Sequence, residues 1–374
     1  MMLMSPVVAV IGGGQLARMM APPATNLNIT LKALVESPLT SASKVIPASF
    51  VGSPKDLDAV EYLAEGADVL TFEHEHIPAE VLAAMETQLP LHPKPQALQY
   101  AQDKLLMRAR LSEINVPVPR WAKATTQAEV QAFGDETGWP CIAKTPRGGY
   151  DGKGVMVVRE AADLHEWLEA GPVLLEEKVA FTRELSQLVA RSATGELKAW
   201  TLVESIQKEG VCWQVIAPAP EASPELTAQA QEIAQTIAGK LDVTGVLAVE
   251  LFQTADGQLY VNELAMRPHN SGHWTQDGSE TSQFEQHLRA VLGLPLGPTT
   301  TRPGVWVMQN LLGCNYPDAA AASAQVMAEV PAAKIHIYGK DVRPGRKLGH
   351  VNVGAETVAE ARALARRAAE ILHG

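Results

Sequence analysis

Residues 246 to 266 read "VLAVELFQTADGQLYVNELAM", two apolar runs joined by Asp256 and Gly257. Asp-Gly between such runs is a strong short-range signal for an antiparallel hairpin, because its turn requires positive φ at both central positions. A two-residue turn at Asp256–Gly257 predicts that Glu250 faces Glu263, with Cβ atoms roughly 5 Å apart. Two carboxylates that close repel unless one is protonated or a cation lies between them. Hard oxygen donors favour Mg²⁺, with Mn²⁺ next. A solvated edge pair is the alternative reading, and a register slip of one residue would remove the argument.

The beginning of the chain follows a different pattern. "VVAVIGGGQLARMM" is an apolar run, a glycine turn and a helix-forming series, and "LKALVES" and "ADVLTFEHEHIP" supply further strands. This is the alternation of a parallel α/β sheet. Gly12, Gly14 and Ala17 satisfy G-x-G-x-x-A, and Glu36 stands where a dinucleotide fold places its ribose-binding acid. A nicotinamide site, another phosphate-bearing ligand and a purely structural turn all satisfy that pattern, and Gln15 is the next side chain able to face a ligand. "LPLHPKPQAL", with Pro90, Pro93 and Pro95, has the composition of a linker and sets a boundary near residue 98. An α+β unit then runs to about 297 and a small unit closes the chain, giving expected domains 1–98, 99–297 and 298–374. Ser223 is the expected N-cap of a helix in "SPELTAQAQEIAQTIAGKL", and Thr357 with Glu360 forms a capping box ahead of an Ala361, Leu364, Ala368, Ile371 stripe.

Three more stretches carry chemistry. In "AKTPRGGYDGKGVMVV", Lys144 ends one strand, and Gly148, Gly149, Gly152 and Gly154 lead back to another. A strand–loop–strand order suits a flap over phosphates, with Lys153 and backbone amides offsetting charge; a mobile surface turn is the alternative. "RPHNSGHWT" holds His269 and His273 at the spacing of a helical zinc pair, yet Pro268, Asn270, Ser271 and Gly272 oppose a helix. Its donors suit an anion better, or a self-satisfied polar loop. "YGKDVRPGRKLGH" gathers Lys340, Arg343, Arg346 and Lys347 in a chain of formal charge −11. That overall charge opposes binding to nucleic acid or anionic lipid, so an anionic ligand has to be held by local clusters such as this one. Cys141, Cys212 and Cys314 lie too far apart in sequence to suggest a disulfide framework, and no apolar stretch approaches the roughly 20 residues that span a bilayer. A cytoplasmic protein is the expectation.

Together "GGGQLARM", "TFEHEHIP", "GGYDGKG", "EEKVAFTRELS", "NELAMRPHNSGHWT", "SQFEQHLRA" and "YGKDVRPGRKLGH" resemble the ATP-grasp superfamily. Within it the resemblance is to the 5-(carboxyamino)imidazole ribonucleotide synthase family of purine biosynthesis, over nearly the whole chain. It implies an α/β and α+β architecture: an ATP-grasp fold with a Rossmann-like N-terminal domain and a small C-terminal domain, assembled as a homodimer. The implied reaction joins bicarbonate to 5-aminoimidazole ribonucleotide through carboxyphosphate, with ATP cleaved to ADP and phosphate.

By that resemblance Lys104 and Lys144 meet ATP, as do the flap residues Gly149, Tyr150, Asp151, Gly152, Lys153, Gly154 and Val155. Glu176, Glu177, Lys178, Val179, Glu184, Gln207 and Asn262 complete the nucleotide side, and Glu250 and Glu263 match magnesium carboxylates. Gln15, Tyr150, Asp151, Asn270, Ser271, Arg346 and Lys347 would bind the ribonucleotide and bicarbonate, with Arg267, His269 and Lys340 as catalytic groups. The sequence departs from the family pattern at Lys104 (often Arg), at Ala17 and Met266 (usually Gly and Pro), and in "ESIQ", where Gln207 replaces an imidazole. Three other readings are open at this point: a nicotinamide oxidoreductase, a non-catalytic nucleotide-binding regulator, and another grasp ligase such as a formate-dependent glycinamide ribonucleotide transformylase.

Overall fold

The computed structural model describes residues 5–149, 153–313 and 319–374, whose strands form three sheets. The first is parallel: strands Ala48–Val51, Thr30–Val35, Val7–Ile11 and Val69–Phe72 lie side by side in that order. Buried Val, Ile and Leu on these strands pack against helices, as a sheet covered on both faces requires.

The glycine turn after Val7–Ile11 is not open to a ligand phosphate. Glu73, just past the neighbouring strand, accepts from the Gly14 and Ala17 backbone N–H groups, the latter at 2.9 Å. Those are the donors a dinucleotide would need at the start of the Gln15–Asn26 helix. A Cβ on Gly12, at φ +118°, would lie 2.4 Å from Glu73 Cγ, and one on Gly14 would lie 2.6 Å from its Oε1. The glycines make room for a carboxylate of the chain itself, and Glu36 is exposed.

The proline-rich stretch is also not a free linker. Leu70 donates its N–H to the Pro90 carbonyl and accepts from His92 N–H, both at 2.9 Å, which extends the parallel sheet by a bridge at Leu91. Pro95 then occupies the first turn of the Pro95–Gln102 helix, where its missing N–H costs nothing. Buried Leu91 and Leu98 join one core with Met107, Leu185 and Val261 of the next unit.

A small antiparallel sheet follows, of strands Trp121–Ala124, Val173–Glu177, Cys141–Lys144 and Val155–Val158. The third sheet is the largest. Its long central strand Phe181–Arg191 pairs with Gly245–Thr254 on one side and Val203–Lys208 on the other. Val211–Ala217 then pairs with Val305–Leu312, so the same sheet runs on through Lys347–Ala355 to Lys334–Ile337. The C-terminal strands thus share backbone hydrogen bonds with the middle unit, and the 298 boundary falls in a connection between elements of one sheet. "LKAWTLVESIQ" supplies two strands, Leu197–Ala199 and Val203–Lys208. Ser223 caps its helix by accepting from Leu226 N–H, and Thr357 accepts from Glu360 N–H. On that last helix Ala361 and Ala368 of the expected stripe are buried, Leu364 and Ile371 are half-buried, and Ala365 and Leu372 are buried in addition. Among the described residues no helix is long and apolar enough to cross a membrane.

The carboxylate cap at the first turn generates a prediction. Glu73→Ala leaves the Gly14 and Ala17 donors without their acceptor and lowers the unfolding free energy by about 1–3 kcal/mol, measured by urea titration at neutral pH. An unchanged midpoint would show that the carboxylate is not what satisfies this turn.

Candidate active site

The hairpin places its carboxylates by two irregularities that cancel. The turn is a three-residue loop: Thr254 donates its N–H to the Gln258 carbonyl at 3.0 Å, and Gly257 sits at φ +84°. Gln253 therefore faces Leu259, Phe252 faces Tyr260 and Leu251 faces Val261, one residue off the register of a two-residue turn. A bulge between Glu250 and Leu251 then absorbs Asn262, and Glu250 does face Glu263. Because Asn262 is the extra residue, it and Glu263 both reach the cavity, which strict alternation along a strand would forbid.

That cavity, about 970 Å³, lies where the three sheets meet. Its lining includes Lys104, Lys144, Gly149, Val155, Lys178, Val179, Glu184 and Gln207. Behind them is a buried ionic cluster. Glu176 accepts from Arg108 Nε and meets Lys144 Nζ at 2.9 Å; Lys144 also donates to Asn262 Oδ1 at 2.8 Å, and Arg108 to the Asn262 carbonyl at 2.7 Å. Burial by itself would raise the Glu176 carboxyl, but Arg108 and Lys144 more than offset it and hold it below its ordinary value. Arg108, wholly buried, has no sequence signal beyond a charge inside an amphipathic helix. Glu177 is engaged by Arg120, with Nε to Oε2 at 2.7 Å. Thr145 N–H donates to the Gly154 carbonyl at 2.9 Å and closes the base of the flap loop; Tyr150, Asp151 and Gly152 lie outside the described residues, and Lys153 is exposed. Gln207 donates to Ser205 Oγ at 2.9 Å.

The Glu250 carboxyl is pushed up to about 8 by burial, with Glu263 and Glu184 adding to the rise, and burial lifts Glu184 to about 7. Lys104 Nζ stands 3.8 Å from Glu263. The described residues contain no cluster of three or more His, Cys, Asp or Glu side chains arranged around one point. Two facing carboxylates suit a hard divalent cation that takes the rest of its shell from phosphate oxygens and water, and their mutual repulsion is what such a cation would relieve.

Arg267 and His269 line the same cavity beside the hairpin carboxylates. Arg267 Nε donates to Glu75 Oε2 at 2.8 Å, while Glu75 Oε1 is buried without a hydrogen-bond partner. Glu75 comes from the "TFEHEHIP" loop of the first sheet, and nothing but its presence in a resembling motif could have marked it. The His269 Nε2 atom lies 3.5 Å from Glu250, and Nδ1 lies 2.9 Å from Ser271 Oγ. Burial, then Arg267 and Lys347, push the imidazole down to about 3, so it is neutral. Ser271, expected to touch substrate, is fully buried with its hydroxyl shared between Ser186 and His269, so it acts behind the site. Asn270 accepts from Asn310 Nδ2 at 3.3 Å, a contact from the C-terminal strands. Lys347 reaches the cavity wall. Lys340 donates to Gln15 Oε1, and its ammonium is lowered to about 8 by burial. Arg346 turns back to the Asp341 carbonyl at 3.1 Å. His273 is buried and stacks on His350, with centroids 4.9 Å apart, while His269 faces Glu250, so the two histidines do not form a metal pair.

Similarity to known proteins is extensive. Residues 4–102 match the ribonucleotide synthetase preATP-grasp domain, residues 109–284 the ATP-grasp domain, and residues 307–364 the phosphoribosylaminoimidazole carboxylase C-terminal domain. The chain is 48% identical over 365 residues to the N5-carboxyaminoimidazole ribonucleotide synthase of Mycobacterium tuberculosis, covering 95% of this chain and 85% of that one. The crystal structure of the synthetase from Thermus thermophilus superposes with a TM-score of 0.90 at 38% identity, over 98% of this chain and 99% of that one. The Aspergillus clavatus synthase in complex with ADP and 5-aminoimidazole ribonucleotide superposes at 0.89 with 32% identity, over 98% of both chains.

The buried cluster predicts both a stability loss and a pH signature. Arg108→Met leaves Glu176 buried with one cation fewer and costs about 3–5 kcal/mol in urea unfolding at neutral pH. Because the folded Glu176 value lies below the unfolded one, its contribution is complete above about pH 4.3 and is lost as pH falls through the lower folded value. Wild type therefore loses this part of its stability on acidification, and the variant, which keeps only the Lys144 share, loses less of it.

Proposed function

The chain belongs to the N5-carboxyaminoimidazole ribonucleotide synthases, ATP-grasp ligases of purine biosynthesis that convert 5-aminoimidazole ribonucleotide in an ATP-dependent reaction, and on that premise we propose how its own residues divide the work. One cavity is lined by Lys144, Glu250 and Glu263 and, next to them, by Arg267 and His269, whose Nε2 lies 3.5 Å from Glu250, and this juxtaposition carries the proposal.

ATP occupies the end nearer the small sheet. Lys144, fixed by Glu176 and Asn262, together with the loop after it, offsets charge that develops on the γ-phosphoryl group. Glu250 and Glu263 would hold Mg²⁺, or Mn²⁺, which when bound supplies neutralisation of the phosphates. Arg267 takes bicarbonate as its partner and aligns one oxygen with the γ-phosphorus. The phosphorus–oxygen bond to ADP breaks as the bond to bicarbonate forms, giving carboxyphosphate, which has to be kept from water within the cavity. Loss of phosphate releases carbon dioxide beside the amine of the ribonucleotide, whose nitrogen forms the new carbon–nitrogen bond and gives up a proton. Neutral His269, with Nδ1 turned to Ser271, presents Nε2 to this end of the cavity as a hydrogen-bonding group. Lys347, Lys340 and Arg346 would face the ribonucleotide phosphate, with Gln15 fixing Lys340. Assembly as a homodimer and a cytoplasmic location complete the proposal; sedimentation of the pure chain checks the first.

The glycine turn supports no nicotinamide chemistry, since Glu73 fills the position a pyrophosphate would take. A nucleotide-binding regulator would bind ATP without turnover. ADP release is expected only when the ribonucleotide and bicarbonate are both present, and Arg267→Ala abolishes it while ATP binding persists. Wild-type rates in that variant would remove Arg267 from the proposal.

The paired carboxylates supply a second expectation. In a chelator, Glu250 keeps its proton in the folded chain up to about 8 while the unfolded chain loses it near 4.3, so wild-type stability falls across that window. Glu250→Gln carries no such penalty. The metal-free variant should exceed wild type by about 1 kcal/mol or more at alkaline pH, converge with it below about pH 4, and turn over no substrate. Thermal unfolding across that range decides; an alkaline variant less stable than wild type refutes it.

A further inference from the structure

The motif "SQFEQHLRA", residues 282–290, takes no part in the chemistry above, yet its second residue is buried against the anion side of the site. Gln283 opens the Gln283–Val291 helix, and its side chain runs back to His269. Oε1 accepts the His269 N–H at 2.8 Å; Nε2 donates to the His269 carbonyl at 2.8 Å and to His273 Nδ1 at 2.9 Å. A primary amide has the complement this requires, one acceptor and two hydrogens in one plane. Around it, the Gln283 N–H donates to Thr275 Oγ1 at 2.9 Å, and Thr275 Oγ1 donates to the Gly272 carbonyl. A Cβ on Gly272 would lie 2.4 Å from Gln283 Oε1, so the loop residue between the two histidines yields to the clamp. His273 accepts at Nδ1, which burial supports by holding the ring neutral.

We propose that Gln283 is a positioning residue for bicarbonate: by gripping both backbone polar groups of His269, it sets the directions of the His269 ring and of Arg267 two residues earlier. The inference rests on the assignment of Arg267 and His269 to the anion end of the cavity. It explains the H-x-x-x-H spacing without a metal, because the second histidine is the third partner of the amide that orients the first.

The fold contains an internal control. Three residues on, Gln286 grips Gly297 in the same way, with Oε1 accepting the Gly297 N–H and Nε2 donating to its carbonyl, both at 2.8 Å, and Gly297 does not line the cavity. A clamp that merely stabilises the fold would behave alike at both positions.

The test measures ADP release by the full chain with ATP and ribonucleotide saturating and bicarbonate varied, for wild type, Gln283→Glu, Gln283→Met, Gln286→Glu and Arg267→Ala. An ionised carboxylate at 283 sets two acceptors against the His269 carbonyl and His273 Nδ1, whereas a protonated one restores a donor. Q283E should therefore raise the bicarbonate KM on the order of 10-fold to 100-fold near pH 8.5 and recover toward wild type, compared at equal pH, as pH falls to about 6. Its ATP KM should stay within about 2-fold of wild type. Q283M should show the loss at every pH, and Q286E should keep the wild-type bicarbonate KM. A Q283E enzyme equal to wild type near pH 8.5 overturns the proposal. So does a pH-independent loss shared with Q286E and accompanied by a matching rise in ATP KM, which is the signature of a structural role alone. If instead R267A keeps wild-type bicarbonate dependence, the assignment of the anion end is what fails, whatever the Gln283 variants show.

Discussion

The contact on which the site depends is the buried Glu176 carboxylate between Arg108 and Lys144, with both cations also bound to Asn262. Its members come from the Lys104–Glu113 helix, two strands of the small sheet and the bulged strand of the large one. Burying ions is costly unless each is paired and hydrogen-bonded, so the cluster forms only when all of these elements are in place. Lys144 is thereby held rigid at the strand end from which it faces the cavity. A lysine on a flexible stem would otherwise lose conformational freedom each time it met a phosphate.

A second joint is the Gln283–Val291 helix. Phe284, Leu288 and Val291 pack into the core beneath the first sheet, beside Leu16 and Met20. His287, which burial pushes down to about 3, bridges the Thr71 hydroxyl at 2.9 Å and the Val246 N–H at 3.2 Å, one on the parallel sheet and one on the large sheet. The Arg267–Glu75 pair draws Glu75 from the first of these bodies and Arg267 from the second. Its geometry is only as well defined as that joint, which is why a helix with no catalytic group is so tightly specified in polar atoms.

Much of the site is legible in the sequence, but not always for the reason the sequence suggests. Glu250 does face Glu263, yet an Asp-Gly turn of two residues is not the cause: a longer turn shifts the register and a bulge restores it. Local turn signals cannot reveal the bulge, because it exists to bring Asn262 to Lys144 across a gap between sheets. The Gly12–Ala17 pattern misleads in the opposite way. Its backbone is that of an anion-binding turn, and an anion is there, but Glu73 is 59 residues away from Gly14 and only the parallel pairing of Val7–Ile11 with Val69–Phe72 brings it in. The prolines at 90 to 95 read as a linker because composition does not say whether a proline stands at an edge bridge or at a helix start, where both are tolerated. Arg108, Glu75 and Gln283 are illegible for one shared reason: each acts through a partner distant in the chain.

Three cations of the cavity stand beside carboxylates of the chain before any ligand arrives. Arg267 rests on Glu75, Lys144 on Glu176, and Lys104 lies near Glu263. Each cation is therefore oriented and partly neutralised by a carboxylate, which keeps a concentrated set of like charges from destabilising the fold. Glu250 differs from these: it faces another carboxylate across the hairpin, and burial, with Glu263 and Glu184 adding to the rise, lifts its carboxyl to about 8. That unbalanced position is the one a divalent cation would satisfy, and Glu75 Oε1, buried without a partner beside Arg267, is its counterpart at the anion end. On the proposed assignment of bicarbonate to Arg267, the anion competes with Glu75 for one guanidinium, and its binding has to leave Glu75 bound through the opposite edge. A guanidinium with five donors in a fixed plane can serve both at once, and a lysine at 267 could not.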